Sequence, residues 1–201
     1  MNIIRFISML GFAIFGPYIM LYFSQDRGLS LTITGLIMAI SSLGGALSQI
    51  PAGAFTDRFG RRHTLILFFS INLLVNVILT LIVATSISVW ILALAWILSG
   101  FVWGMTQPAM SAVITDLTPK KNLTEAYGVS QQMTNVAWII GPLAGGYMFS
   151  HLAYTYLIGT TIITGALCLI LTAAFLRDSF KGDKEATNFS LILLFKKDQN
   201  K

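Results

Sequence analysis

The sequence predicts an all-α, polytopic membrane protein: six transmembrane helices arranged as a 3+3 inverted repeat. Three observations carry this. Of 201 residues, 55% are hydrophobic and 10% charged, and mean hydropathy is +0.76. Soluble domains average about 25% charged residues; a chain this oily cannot give a globule a polar skin, so lipid is its solvent. The apolar residues gather into six runs, each near the roughly 20 residues that cross a bilayer as a helix. The basic residues crowd onto one side of the connections between those runs.

The runs cover 3–24, 32–55, 64–85, 88–115, 126–149 and 154–176. The first is too long for the apolar core of a signal peptide and ends without a small-residue cleavage site, so it reads as a retained helix. With the N-terminus inside, Arg27 alone of the 13 Lys and Arg falls outside. The positive-inside rule then puts both termini in the cytoplasm, with the cytoplasmic membrane as the location. Residues 1–176 form the bundle. Residues 177–201 turn charged, then apolar and basic, as a cytoplasmic linker lying at the interface.

The third and sixth runs close two units that echo each other. "GFAIFGP" in the first run returns as "GFVWGMTQP" in the fourth. Pro17 returns as Pro108, and Pro51 as Pro142, the same shift of 91. Three crossings invert the second unit, and inverted repeats with Gly/Pro-interrupted helices are a habit of secondary transporters.

Several classes are excluded or weakened. The net charge of +5 sits in loops and tail rather than on an amphipathic face, so nucleic acid is not a partner. Cys168 is a lone thiol in an apolar run, and neither a disulfide nor a metal cluster follows from it. No cofactor is expected. His63 and His151 fall on opposite sides of the membrane, which leaves an intramembrane enzyme without a nucleophile and base side by side. No Asp, Glu, Lys or Arg falls in the middle of a run, where ion and proton sites usually announce themselves.

Between the second and third runs lies "PAGAFTDRFGRRHTL". Gly53 lacks a Cβ and admits a neighbouring helix. Asp57 ends a helix, where its charge opposes the dipole, and it gains if Arg58, Arg61 or Arg62 folds back onto it or a partner helix presents its N-terminus. Gly60 allows the tight turn. After the fourth run Asp116 stands at the same depth. Pro119 stops that helix, Thr124 or Asn122 is placed to cap the next, and Glu125 sits in its favoured first turn.

"GAFTDRFGRR" matches the G-x-x-x-D-R-x-G-R-R loop of the major facilitator superfamily. The chain resembles the N-terminal six-helix half of such a twelve-helix transporter over nearly all its length. The resemblance implies that Gly53, Asp57, Arg58, Gly60, Arg61 and Arg62 form a cytoplasmic latch, with Asp116 the acidic residue that pairs with the loop arginines. The fifth run, "GVSQQMTNVAWIIGPLAGG", resembles the glycine pattern of the exporter branches through Gly128, Gly141, Pro142, Gly145 and Gly146, with Ala137 replacing one glycine. Ala137, Gly141 and Gly145 also make a small-residue stripe for close packing, and Pro142 permits a kink. In proton-coupled drug exporters an arginine precedes the glycine matching Gly100; here Trp96 stands in its place, which leaves the coupling ion open.

The resemblance implies that the first, second, fourth and fifth helices face a substrate cavity. The candidates are Tyr18, Tyr22, Gln49, Trp103, Gln107, Gln131, Gln132, Asn135 and Trp138. This neutral polar and aromatic set suits small hydrophobic or drug-like substrates. Asn72 and Asn76 fall on the third helix, which belongs to the periphery, and no role follows for them. The expected function is secondary active export by alternating access. The alternatives are a sugar or metabolite carrier, or a truncated scaffold that does not transport. Besides lipid and substrate, the partner is a second six-helix bundle, either a missing C-terminal half or another chain. A truncated fragment is the expectation favoured.

Overall fold

The computed structural model describes residues 1–176; the linker expected at 177–201 lies outside them. The described chain forms α1 (Asn2–Leu21), α2 (Leu31–Phe59), α3 (Arg61–Ala84), α4 (Val89–Leu117), α5 (Leu123–His151) and α6 (Tyr154–Phe175).

Local chemistry sets the ends. α1 closes in a π-helical turn, Tyr22–Asp26. The Ser30 hydroxyl caps α2 by accepting from the Ile33 N–H at 3.3 Å. α2 stops because Gly60 takes φ 85° and ψ 152°, a conformation that only glycine holds without strain. α3 then begins at once. α4 stops at Leu117 because Thr118 precedes proline and is extended. The expected side-chain cap of α5 does not form. The single 3₁₀ turn Lys120–Asn122 leads straight into the helix, so Asn122 sits at φ −110° and ψ 7° and caps with no side-chain bond.

α2, α4 and α5 have 29 residues each, about 43 Å of helix. That exceeds the hydrocarbon core of about 30 Å, so their ends reach the headgroup layer. Five of the six helices are long and apolar enough to cross a membrane. α5 is long enough, but Ser130, Gln131, Gln132, Thr134 and Asn135 break its apolar run. It joins the bundle by lying along α1.

The packing repeats. α1 lies on α5 as α4 lies on α2, and α6 touches α1 as α3 touches α4; α3 and α6 pack on each other. Exchanging each helix with the one three places on leaves this set unchanged. One proline sits inside each of α1, α2, α4 and α5. On α2 the buried stripe Ser41, Gly44, Ser48 and Ala52 recurs 93 positions later on α5 as Thr134, Ala137, Gly141 and Gly145. These stripes let backbones touch: a Cβ on Gly104 would strike the Gly45 carbonyl across α2 and α4, and one on Gly145 would strike the Ile14 carbonyl across α5 and α1.

The apolar core is split into two. One cluster, around Phe15, Phe23, Leu79, Leu92 and Leu157, fills one end of the bundle. The other, around Ile4, Leu65, Phe68, Met110 and Cys168, fills the end that carries the Gly60 turn. Between them lies a cavity of about 360 Å³.

Candidate functional site

Two carboxylates from different helices converge on one arginine. Arg61, the first residue of α3, places Nη2 3.1 Å from Asp57 Oδ1 in the last turn of α2. Its Nε lies 2.8 Å from Asp116 Oδ2 at the end of α4. That second contact is an ion pair without an aligned hydrogen bond. Its Nη1 donates to the Thr56 carbonyl at 3.3 Å. Arg61 thus offsets the poor placement of Asp57 at a helix C-terminus and ties the ends of α2 and α4 to the start of α3.

The other two arginines have different work. Arg62 donates to the Ala173 carbonyl at 2.8 Å, capping the last turn of α6. Arg58 lies over the Phe59 ring, 5.4 Å from its centroid. Solvent-exposed ion pairs contribute about 0–1 kcal/mol, and the Asp57 side chain is 62% exposed. The Asp116 half of the clamp is more sheltered, with the Arg61 side chain 23% and the Asp116 side chain 33% exposed, and a part-buried pair is screened less than an exposed one. Gly60 makes the expected turn. Gly53 does not make the expected close approach: among the described residues nothing comes near its Cβ position, because α2 turns its other face to α4.

The fifth-helix pattern is borne on α1. Ala137, Gly141 and Gly145 are buried, with Gly141 against Ala13 and Gly145 against Ile14 and Tyr18. Gly146 faces the Tyr18 hydroxyl, which donates to the Pro142 carbonyl at 2.6 Å. Gly128 has open space around it and packs on nothing described.

The nine cavity candidates separate. Gln49, Gln131, Gln132, Asn135 and Trp138 are exposed on α2 and α5, and Gln131 bonds Asn135 at 3.4 Å. Gln107 is half-buried, with its Nε2 unpartnered. Two expectations are corrected. Tyr22 is buried in the end of the bundle, stacked on Tyr154 at 4.4 Å with Arg27 over its ring. Tyr18 spends its hydroxyl on α5 and stacks on Phe149. Of the nine, Trp103 and Trp138 line the cavity.

α1 and α4 flank the cavity. Phe12 bridges them, stacked on Trp103 at 5.2 Å and edge-on to Trp138 at 6.0 Å. Its back wall is α3 and α6, with Asn72, Asn76, Thr161 and Thr164. The third helix is therefore not merely peripheral. A usable signal was present: two asparagines at i and i+4 put amides on one face of an otherwise apolar helix.

A family model described as Major Facilitator Superfamily matches residues 1–198. Among curated proteins, a Na(+), Li(+), K(+)/H(+) antiporter of Planococcus maritimus is 28% identical over 160 residues, 77% of this chain and 36% of that protein. The tetracycline resistance protein, class C, of Escherichia coli is 29% identical over 150 residues, 75% of this chain and 36% of that protein. The quinolone resistance protein NorA of Staphylococcus aureus is 25% identical over 178 residues, 88% of this chain and 44% of that protein. The chain spans less than half the length of these relatives.

Proposed function

The chain belongs to the major facilitator superfamily, and on that premise we propose that it is the N-terminal bundle of an exporter of small hydrophobic or drug-like molecules. It works by alternating access in the cytoplasmic membrane, with its N-terminus and the Gly60 turn inside. The observation that carries the reading is the Arg61 clamp between Asp57 and Asp116. It joins three helix ends through charged side chains alone, as a part that opens and closes can. Export is supported by two resistance proteins among the relatives and by the neutral, aromatic character of the exposed and cavity-lining side chains. The exposed faces of α2, apolar through Leu36, Leu43, Leu47 and Ile50, and of α5, polar through Gln131, Gln132 and Asn135, suit a second bundle, around which the first would rock.

The test is extrusion of a lipophilic fluorescent dye from bacteria lacking their own exporters. The chain is expressed together with the C-terminal six helices of a related exporter. Extrusion above that of either half alone is expected. Retention of the dye, with both halves present in the membrane, would count against the proposal.

A further inference from the structure

Polar side chains enter the cavity wall between the two apolar clusters. Along α3, Asn72 and Asn76 lie between Phe69 of one apolar cluster and Leu79 of the other. Along α6, Thr161 and Thr164 lie between Ile158 and Cys168. Along α4, Ser99 lies between Trp96 and Ala109. Three helices thus break their apolar runs at the same height. Polar side chains at mid-span are expensive and are kept for function.

The hydrogen-bond inventory of this level is incomplete. Asn76 is 8% exposed; its Nδ2 donates to the Asn72 side-chain oxygen at 2.8 Å and to the Asn72 carbonyl at 3.0 Å. Its Oδ1 accepts nothing among the described residues. Trp96 is 5% exposed, lines the cavity, and leaves its indole N–H without a partner. Leaving a buried donor unmatched costs about 1–3 kcal/mol. Thr161 and Thr164 line the cavity and donate their hydroxyl protons to their own helix, to the carbonyls of Ile158 and Thr160. No lining residue is ionised, so a charged guest would lose its hydration with nothing opposite to replace it. Phe12, Phe15, Phe69, Trp96, Trp103 and Trp138 give the wall its aromatic surface, with Phe15 edge-on to Trp96 at 5.6 Å.

From this we infer that the chamber behind α1 and α4 is a binding site for a neutral, planar aromatic molecule. The ligand carries a hydrogen-bond acceptor for the Trp96 indole and a donor for the Asn76 oxygen, as an aromatic amide or phenol does. Its volume suits such a guest, since ligand pockets run from about 300 Å³ upward. The site lies within one bundle rather than on its exposed α2 and α5 face. Calling the guest a transported substrate rests on the proposed function; binding itself does not, and is measured without transport.

The experiment is equilibrium dialysis of 4-hydroxybenzanilide against the full chain in lipid nanodiscs, with empty nanodiscs subtracted. Saturable binding of one probe per chain is expected, and the anionic 4-carboxybenzanilide should bind at least roughly tenfold more weakly. Trp96→Phe keeps the ring and removes the N–H, and should weaken binding about fivefold. Asn76→Leu should do the same, with Asn76→Thr as the replacement if the first variant lacks native helical circular dichroism. Trp90→Phe, at the exposed start of α4, should leave binding unchanged. No saturable binding by a folded chain would mean the chamber holds water only and would overturn the assignment. So would equal affinity for the anion, or affinity unaffected at both Trp96 and Asn76.

Discussion

In the first repeat α2 passes to α3 through Gly60, flanked by Asp57, Arg58, Arg61 and Arg62; in the second, α5 passes to α6 through Leu152 and Ala153. The helices before these turns bury matching stripes, yet only one turn is charged. Inversion explains the contrast. Equivalent turns emerge on opposite sides of the membrane, and the positive-inside rule charges only one of them. The side walls differ too: α3 brings amides to the cavity and α6 brings hydroxyls. Backbone approach is repeated, whereas charge and hydrogen-bonding chemistry are specific to each unit.

The repeated part breaks hardest. Gly104→Leu and Gly145→Leu each drive a side chain into a facing carbonyl, and overpacking costs about 1–3 kcal/mol or more. Both variants should melt well below the native chain in detergent, followed by tryptophan fluorescence. A native melt for one and not the other would show that the stripes are not equivalent. Next comes the turn: Gly60→Ala forces a side chain to φ 85° and should lower stability by about 1–3 kcal/mol, whereas Ala153→Gly in the uncharged turn should cost little. Arg61→Ala should lower stability by about 1–2 kcal/mol, since it leaves the part-buried Asp116 carboxylate unmatched, and should abolish dye extrusion. A large drop in melting temperature would recast the clamp as a structural staple. The smallest effects are expected at Gly53→Ala and Gly128→Ala. Each position is open and helical, so alanine should leave the bundle as stable or up to about 1 kcal/mol more so. Lost extrusion with an unchanged melt at Gly53→Ala would mark a contact made with the second bundle.

Much of this was legible in the sequence. The six helices follow from the apolar runs, and the inverted repeat from Pro17, Pro51, Pro108 and Pro142. The Gly60 turn and the pairing of Asp116 with a loop arginine follow from the motif. Which arginine meets the carboxylates did not, because Arg58, Arg61 and Arg62 differ only in where the turn leaves them. Tyr22 was misplaced because a polar aromatic at a helix end reads alike whether it lines a cavity or plugs a bundle. Asn72 and Asn76 went unexplained because Thr161 and Thr164, which line the same cavity, lie about ninety residues away. α5 is the least apolar of the six runs, broken by Ser130, Gln131, Gln132, Thr134 and Asn135, and its packing on α1 supports its place in the bundle.

The claim at the centre is that Arg61 holds a latch that must open for transport. The direct measurement is dye extrusion by Asp57→Asn, co-expressed with a complementary bundle, at matched levels of inserted protein. The account expects extrusion to fall at least roughly tenfold while insertion and melting stay native, since the exposed pair contributes little to stability. Extrusion at the native rate would contradict it.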